Sequence, residues 1–210
     1  MKVEHINHMG NDDSVVNAAR VSFAKQADQY TDEQNARLIN YLARYSHWSP
    51  FAHTAITLRL KAPIAIHAQF MKHTVGFAHN TVSRRYVSDT PEVFTPVFRK
   101  APQGNIKQGS GENHTENLSL TSAYDRATKY CIDIYDQMVK DGVAPEQARF
   151  VLPQGVMTEW VSTGSLYAWA RLYRLRTDSH AQKEIQDLAH MVGDVIKPLY
   201  PVSWTALTGA

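Results

Sequence analysis

The order in which helical and extended patterns follow one another constrains the fold of this chain more than any other sequence feature. Ile56, Leu58 and Leu60 alternate with Thr57 and Arg59, which predicts a strand. Helical patterns lie on both sides of this strand, but they do not alternate with strands in regular βαβ units. The order therefore favours an α+β fold, with helices packed on a small mixed sheet. Further extended segments are predicted at residues 85–87, 93–94 and 156–161.

The predicted helices are recognised by the residues at their ends. Thr31 and Gln34 form a capping-box pattern, and Pro63 takes a position typical of the first residue of a helix. Gly142 follows a long amphipathic pattern and predicts its end. The predicted helices run from an Asp13-Ser14 cap to Val21, from Thr31 to Ala43, from Pro63 to about His73, from Leu120 to Val139, onward from Pro145, from Ser165 to Arg176, and from a Ser179–Gln182 capping box to Ile196.

The length of the chain allows one domain with a substantial core. Each half of the 210 residues would be small for an independent core. The polar segment Gln103–Glu116, rich in glycine, asparagine and glutamine, therefore predicts a surface loop and not a linker between domains. We expect a single domain over residues 1–210.

Charge and composition exclude several classes of function. The net charge is +2, which is too small for the dense basic face that non-specific nucleic-acid binding requires. No stretch approaches the roughly 20 apolar residues of a membrane helix, and no apolar run at the N-terminus resembles a signal peptide. The single cysteine excludes an internal disulfide. We expect a cytoplasmic protein without nucleic-acid or membrane partners, and the charge suits a small anionic ligand held by a few arginines.

The sequence lacks the motifs of several common nucleotide-binding and metal-binding sites. The glycine-rich dinucleotide and phosphate-loop patterns are absent, and there is no cysteine pair for zinc. His67, His73 and His79 recur at six-residue intervals. In one helix a six-residue step rotates a side chain by roughly 240°, so these three imidazoles would not face one ion. We expect no metal site.

Two segments concentrate more polar groups than a structural helix requires. In the first, residues 69–86, Gly76 can end a helix and let the backbone double back, so that Ser83 and Arg85 present a hydroxyl and a guanidinium to a phosphate. The alternative is a basic surface turn. In the second, residues 171–182, Arg176 precedes a predicted helix N-terminus, where an anion is favoured. The alternative is an ordinary helix junction with solvated arginines.

Four further segments keep one order from residue 18 onward. Residues 47–53 (HWSPFAH) look like the His-x-Ser/Thr-Pro-Phe-Glu-His element of the flavin-dependent thymidylate synthases. Residues 18–23, 148–153 and 175–185 resemble other elements of that family, in the same order and at similar spacing. On these residues the chain is identified as resembling the flavin-dependent thymidylate synthase family.

This resemblance implies a mixed α/β subunit in a homotetramer whose active sites are shared between subunits. It also implies dUMP as the substrate, FAD as the cofactor, and NADPH and methylenetetrahydrofolate as co-substrates. Arg176 matches the catalytic residue proposed to promote ionisation of the pyrimidine N3. The dUMP-contacting positions fall on Gln69, Lys72, Thr81, Val82, Ser83, Arg84, Arg85, Arg149 and Arg176. The flavin-contacting positions fall on His47, Ser49, Lys72, His73, Thr74, Thr81, Arg171 and His180.

The chain departs from the family pattern mainly on the flavin side. Lys72-His73-Thr74 stands where the family has Arg-His-Arg, and eight residues instead of seven separate it from Ser83. Lysine keeps the charge without the forked geometry of arginine, and threonine loses the second guanidinium. Thr81 replaces a usual glutamate, and Arg171 an asparagine. The dUMP half of the site is therefore better preserved, and Arg171 can supply a replacement charge.

The leading hypothesis is reductive methylation of dUMP to dTMP without an enzyme nucleophile. Cys131 lies inside the long predicted helix with no basic neighbour in sequence, so we interpret it as structural. One alternative is a different modification at C5, such as hydroxymethylation, on the same scaffold. Another is a nucleotide-binding protein that has lost catalysis. RNA binding by the basic turns would need a broader basic surface.

Overall fold

The computed structural model describes residues 1–103 and 109–210, and residues 104–108 of the predicted loop Gln103–Glu116 lie outside the described residues. In the described part, four strands and nine α-helices follow one another. The strands are β1 (Lys2–Met9), β2 (Ala55–Pro63), β3 (Phe77–Thr81) and β4 (Met157–Gly164). The helices are α1 (Asp12–Arg20), α2 (Asp32–Arg44), α3 (Ser49–Ala52), α4 (Ile64–Phe70), α5 (Asn117–Lys140), α6 (Pro145–Ala148), α7 (Leu166–Arg176), α8 (Lys183–Ile196) and α9 (Pro201–Thr208). Among the described residues no helix has the length and apolar character that a membrane crossing requires.

The four strands form one sheet in the order β1-β2-β4-β3. The α+β prediction is confirmed, but each pair of neighbouring strands is antiparallel, so the sheet is not mixed. Ile56, Leu58 and Leu60 lie in the centre of β2 and are fully buried, as their alternation predicts. The strand predicted at residues 156–161 is β4, which begins at Met157 and extends to Gly164.

The sequence patterns predict neither of the two edge strands. The side chains of β1 are almost all exposed, so no apolar alternation marks that strand. β3 follows Gly76, whose positive φ of 80° lets the backbone turn back, as the sequence indicates. A Cβ at Gly76 would lie 3.0 Å from the Cβ of Ala168, so glycine also allows this turn to approach α7 closely.

The segment at residues 85–87 is a turn, and the prediction of an extended segment there is wrong. The main-chain N–H groups of Tyr86 and Val87 both donate to the carbonyl of Ser83, which closes the turn. Val93 is extended as predicted, and it pairs with Val156 in an isolated bridge.

Several helices begin or end away from their predicted limits. Asn11 caps α1 in place of Asp13 or Ser14, because its Oδ1 accepts the N–H of Ser14 at 3.0 Å. Pro63 is the last residue of β2 and precedes α4, which ends at Phe70 before reaching His73.

The capping box predicted at Ser179–Gln182 is wrong. α8 begins only at Lys183, and the residues between α7 and α8 form a turn. By contrast, the Thr31 capping box is confirmed by the hydrogen bond between its side chain and Gln34 N. The helix predicted from Ser165 to Arg176 is α7, and the structure shows that the Ser165 side chain caps it by accepting from Ala168 N.

The core between the sheet and α7 fixes the position of that helix. Trp160 of β4 and Trp169 of α7 are fully buried, and Trp169 Nε1 donates to the Ile56 carbonyl at 3.1 Å. The N–H of Leu166 donates to Thr54 Oγ1 at 2.9 Å at the start of the helix. α7 is therefore anchored on β2 along its first turn, and its far end carries the polar residues described below.

α9 closes the fold from a distance along the chain. The Asp12 carboxylate accepts the N–H groups of Val202 and Ser203, each at 2.9 Å, and so caps this helix from α1. The buried Tyr200 hydroxyl donates to the Met9 carbonyl at 2.8 Å, and burial raises the pKa of Tyr200 to about 12. Pro201 at the first position of α9 is a local helix-start signal, whereas the carboxylate that caps the helix lies at the other end of the sequence.

Candidate active site

The last turn of α7 and the segment after α4 meet at Arg176. The Nε of Arg176 donates to His73 Nε2 at 2.9 Å, and a terminal nitrogen donates to the Gln69 carbonyl at 3.0 Å. Two of its five N–H groups are thus engaged, and the others remain for a ligand. The guanidinium is partly buried, which lowers the pKa of Arg176. A desolvated cation of this kind interacts strongly with any anion that reaches it.

His73 is held in its neutral form. Partial burial, together with the nearby guanidinium groups of Arg176 and Arg171, lowers the pKa of His73 to about 4. Its Nε2 can therefore accept the Arg176 hydrogen bond. The main-chain carbonyl of His73 accepts from His79 Nε2 at 2.9 Å, and Ser162 Oγ lies 2.8 Å from His79 Nδ1. The segment after α4 is consequently tied to β3 and β4.

These residues line a pocket of about 190 Å³. We call it the Arg176 pocket, and its polar members are Lys72, His73, Thr74, Arg171 and Arg176. No salt bridge formed by residues 1–103 or 109–210 involves Lys72, Arg171 or Arg176. Three cations thus face one small concavity without a described carboxylate, which suits an anionic ligand.

The position of Arg176 differs from the sequence prediction. Arg176 is the last residue of α7, and α8 begins only at Lys183, so Arg176 does not precede a helix N-terminus. The helix dipole at a C-terminus stabilises the cation and offers nothing to an anion. The favourable field for a ligand comes from the cationic side chains of Lys72, Arg171 and Arg176.

A second group of predicted residues lies on the turn after β3. Arg84 contacts the main chain and carboxylate of Asp89, and Arg85 Nε donates to Glu146 Oε2 at 3.2 Å. Arg149 Nε donates to the carbonyl of Glu146 at 3.2 Å. We call this group the Arg85 turn; it comprises Ser83, Arg84, Arg85 and Arg149, with Asp89 and Glu146.

Thr81 and Val82 connect the Arg85 turn to β3. Thr81 is the last residue of β3, and its Oγ1 lies 3.0 Å from His67 Nε2. The N–H of Val82 donates to the Glu159 carbonyl of β4 at 2.9 Å, which fixes the point where the turn leaves the sheet.

The remaining flavin-contacting candidates lie apart from both groups. His47 and Ser49 are exposed at the start of α3, where His47 lines a separate pocket of about 300 Å³ with Trp48, Tyr167 and Arg174. His180 is exposed in the turn before α8, and its Nδ1 lies 2.9 Å from Asp178 Oδ1.

The structure therefore brings the predicted residues together in groups and not in one cavity. In the portion of the chain that the structure covers, no side-chain hydrogen bond or salt bridge joins the Arg176 pocket to the Arg85 turn. No cluster of three or more potential metal ligands occurs among the described residues either. The sequence prediction treats His67, His73 and His79 as parts of one helix, and this is wrong. In the structure the first lies in α4, the second in the segment after α4 and the third in β3.

Sequence reasoning missed a set of polar residues behind the pocket. Gln69 Nε2 donates to Gln182 Oε1 at 2.6 Å, and Gln182 Nε2 donates to Glu184 Oε2 at 2.8 Å. Glu184 also pairs with Arg99. The sequence pattern reads Gln182 as part of a capping box, and only the observed start of α8 shows that its side chain is available for other contacts.

The residues of the Arg176 pocket fit part of a flavin dinucleotide. Its cations suit phosphate oxygens, and Arg171 supplies a guanidinium to the same pocket in which Thr74 replaces the family's arginine. Whole-ligand pockets measure roughly 300–1,000 Å³, so one chain would enclose only a portion of such a cofactor.

Comparison with known proteins identifies the family. Residues 4–202 match the family model Thy1, described as thymidylate synthase complementing protein. The chain belongs to the flavin-dependent thymidylate synthase family. The resemblance drawn from the sequence motifs is thereby confirmed, and the family is one of methyl-transferring enzymes.

Named members of this thymidylate synthase family align along most of the chain. The flavin-dependent thymidylate synthase of Thermotoga neapolitana is 34% identical over 203 residues, covering 97% of this chain and 88% of that protein. The enzyme of the same name from Thermus thermophilus is 32% identical over 206 residues, covering 97% of this chain and 74% of that protein.

Solved structures show the same fold. The UMP/dUMP methylase PolB from Streptomyces cacaoi, bound with 5-Br dUMP, superposes with a TM-score of 0.90 at 28% identity, covering 99% of this chain and 94% of that one. Its complex with 5-Br UMP gives a TM-score of 0.85 at 27% identity, covering 99% and 93%.

Proposed function

We propose that this thymidylate synthase family member methylates dUMP at C5 to give dTMP, with methylenetetrahydrofolate as the one-carbon donor, FAD as the cofactor and NADPH as the reductant. The single observation that carries the proposal is the position of the Arg176 guanidinium, which Gln69 and His73 hold in place. Among the residues that the structure describes, no carboxylate lines its pocket. The family match and the likeness to a UMP/dUMP methylase support the substrate.

Arg176 is the residue to which we assign the catalytic role. Its unused N–H groups would donate to the pyrimidine where negative charge develops, at N3 or O4. Its two bonds within the protein hold the guanidinium in place before the substrate arrives, so little reorganisation is needed. His73 contributes as a neutral acceptor that orients Arg176.

The Arg85 turn is assigned to the nucleotide phosphate. Ser83 offers a hydroxyl, and Arg85 and Arg149 offer charged donors of the kind that bind phosphate in pairs. In the described chain Arg85 is paired with Glu146, so phosphate binding would replace that contact. Exposed ion pairs contribute only about 0–1 kcal/mol, and the replacement is therefore cheap.

A homotetramer with shared active sites would bring the two groups together. Tyr86 and Phe150, which follow Arg85 and Arg149 directly, are 79% and 84% exposed. Large aromatic side chains in that state favour burial against another protein surface. A neighbouring subunit that covers them would carry its own Arg176 pocket toward this turn.

On the flavin side we assign Lys72, His73, Thr74 and Arg171 to the FAD of this pocket, with His47, Ser49, Thr81 and His180 at its periphery. Bound flavin supplies the reducing equivalents that convert the transferred one-carbon unit into a methyl group. The chain itself provides position, charge and shielding from water. Cys131 is half-buried on α5, outside both groups, and has no role in this scheme.

A second candidate function is hydroxymethylation of C5 on the same scaffold. The observation in its favour is the altered flavin side, where Thr74 carries no charge and Arg171 approaches from α7 instead. Mass analysis of the nucleotide product separates the two reactions, since methylation adds CH₂ and hydroxymethylation adds CH₂O.

The test combines the absorbance spectrum of the purified protein with single-turnover product analysis. We expect a flavin band that dUMP perturbs, and reoxidation of the reduced flavin that requires both dUMP and methylenetetrahydrofolate. Colourless protein that binds dUMP but no FAD would instead identify a nucleotide-binding homologue without catalysis. Equal reoxidation with and without dUMP would contradict the proposal.

A further inference from the structure

Polar side chains that start from Gln69, whose carbonyl contacts Arg176, form a continuous series of hydrogen bonds. We call this series the glutamine relay, and it comprises Arg99, Glu184, Gln182 and Gln69. Arg99 donates to Glu184 Oε1, and Gln182 Nε2 donates to Glu184 Oε2 at 2.8 Å. Gln182 Oε1 accepts from Gln69 Nε2 at 2.6 Å. The relay thus connects a carboxylate on α8 with the side chain near the end of α4.

Glu184 sets the direction of every bond in the relay. A carboxylate bonded to a guanidinium and an amide offers acceptors only, so Gln182 must present its NH₂ group to Glu184. The carbonyl oxygen of Gln182 is then the atom left for Gln69, and Gln69 must donate to it. In the part of the chain described, the Gln69 side-chain oxygen Oε1 has no hydrogen-bond partner.

The relay is well placed to hold this direction. Glu184 is 7% exposed, and Arg99 shields its carboxylate from water. Gln182 itself is exposed, so its two hydrogen bonds, and not burial, hold its amide in this orientation; each contributes about 0.5–1.5 kcal/mol. Arg99 itself is fixed from the other side, because its Nε donates to Ser110 Oγ at 2.8 Å.

Gln69 also belongs to the candidate active site through its main chain. Its carbonyl accepts a hydrogen bond from the Arg176 guanidinium at 3.0 Å. The relay and the guanidinium assigned to the pyrimidine therefore meet at one residue, Gln69.

We propose that Glu184 is a positioning residue for the nucleotide: through Gln182 it orients Gln69 so that Oε1 accepts a hydrogen bond from the bound substrate. This inference rests on the proposed function, because it requires dUMP beside Arg176. The chemistry recognised is a neutral donor of a uridine nucleotide. Two groups of dUMP provide one, the ring N3–H and the 3′-hydroxyl.

Three nucleotides and three variants test the proposal by calorimetry. dCMP presents a lone pair in place of the N3–H, and 2′,3′-dideoxyuridine 5′-monophosphate lacks the 3′-hydroxyl, so the two analogues separate the two donors. Glu184→Gln removes the acceptor-only group, and Gln182→Leu interrupts the relay while keeping the Glu184–Arg99 pair. Glu159→Gln is the control, since Glu159 pairs with Arg59 on the sheet and lies outside the relay.

For the wild-type protein we expect one analogue to bind at least about fivefold more weakly than dUMP, the effect of losing one hydrogen bond. We call the ratio of the analogue Kd to the dUMP Kd the analogue penalty. In Gln182→Leu and Glu184→Gln this ratio should fall to within about twofold, whereas in Glu159→Gln it should stay at the wild-type value. A purely structural role would weaken all three nucleotides equally and leave the penalty unchanged.

Several outcomes would overturn the proposal. One is an unchanged analogue penalty in Gln182→Leu while dUMP still binds; another is equal wild-type affinity for all three nucleotides. A wild-type protein that does not bind dUMP overturns both this inference and the proposed function. Relay-dependent discrimination without formation of a methylated product would overturn only the proposed function.

Discussion

The Arg176 pocket and the Arg85 turn present arginines in opposite ways. Arg176 is held by uncharged acceptors, a carbonyl and a neutral imidazole, and no described carboxylate compensates its charge. Arg85 is half-exposed and already paired with Glu146. Arg176 is therefore preorganised to bind an anion, whereas Arg85 must release Glu146 before it can bind a phosphate. We infer that the pocket mainly determines the rate of the reaction and the turn mainly determines nucleotide affinity.

Arg176→Ala should produce the largest effect. Removal of a preorganised donor at a site of developing charge lowers kcat/KM by roughly 10²–10³-fold, with most of the loss in kcat. Single-turnover flavin reoxidation measures this step. Arg37→Ala is the matched control, because Arg37 is highly exposed on α2, where it pairs with Glu33. An effect confined to KM would show that Arg176 only binds substrate, and it would contradict the inference that the Arg176 pocket mainly determines the rate.

Arg149→Ala should weaken dUMP binding by roughly tenfold, the effect of losing one charged hydrogen bond to phosphate. FAD affinity should change little, since Arg149 lies in the Arg85 turn and not in the pocket. Titration calorimetry with each ligand checks both statements. The control is Arg126→Ala, whose side chain donates to Ser122 on the exposed face of α5. Loss of FAD with unchanged dUMP binding would reverse our assignment of the two groups.

The low pKa of His73 predicts a pH-dependent loss of stability. The folded-state pKa of about 4 lies below the ordinary value of 6.5, so the unfolded chain binds more protons between these values. The contribution of neutral His73 is therefore complete above about pH 6.5 and is lost as the pH falls toward 4. Because His73 is only partly buried, solvent screening reduces the full linkage effect, and from pH 7 to 4.5 the wild-type protein should lose roughly 1–2 kcal/mol more unfolding free energy than His73→Asn.

Urea unfolding of both proteins at the two pH values measures that difference. His180→Asn provides the comparison, since His180 is exposed and lies outside the pocket. Parallel pH profiles for the wild-type protein and His73→Asn would show that the imidazole is not held neutral against Arg176.

Glu146→Gln should have the smallest effect. Neutralising this carboxylate releases Arg85 from an exposed ion pair, so dUMP affinity should rise by about two- to threefold. The rise should disappear at high salt, where the pair is already screened. Weaker dUMP binding in this variant would indicate that Glu146 orients Arg85 for the phosphate and does not compete with it.

Local patterns predict the elements that carry their own signals. The alternation at Ile56–Leu60 predicts β2, the Thr31 box predicts the start of α2, and the helical pattern of residues 165–176 predicts α7. β1 escapes prediction because an exposed edge strand needs no apolar alternation. α9 is missing from the sequence prediction although Pro201 marks its first position, and its capping carboxylate, Asp12, comes from the opposite end of the chain.

The sequence predicts several residues that share the Arg176 pocket, but it does not predict how they contact one another. The sequence selects Lys72, His73, Thr74, Arg171 and Arg176, and the structure places all five in one pocket. It correctly predicts that a helix ends at Arg176, but it begins the next helix too early, because the Ser179–Gln182 pattern indicates a start that α8 reaches only at Lys183. It also does not show the relay through Gln182 and Glu184, since those contacts join residues that are distant in sequence. Whether the Arg85 turn shares a cavity with the pocket stays a prediction about the assembly.

The bond between Asp12 and α9 has a consequence for how the protein is made. On the ribosome, α1 and α2 are synthesised long before the backbone groups of Val202 and Ser203 exist. Until then the Asp12 carboxylate has neither of these two partners, and the surface of α2 that packs on α9 stays uncovered. Completion of this corner must therefore await synthesis of α9, and a chain truncated before Pro201 would leave that face of α2 open to solvent.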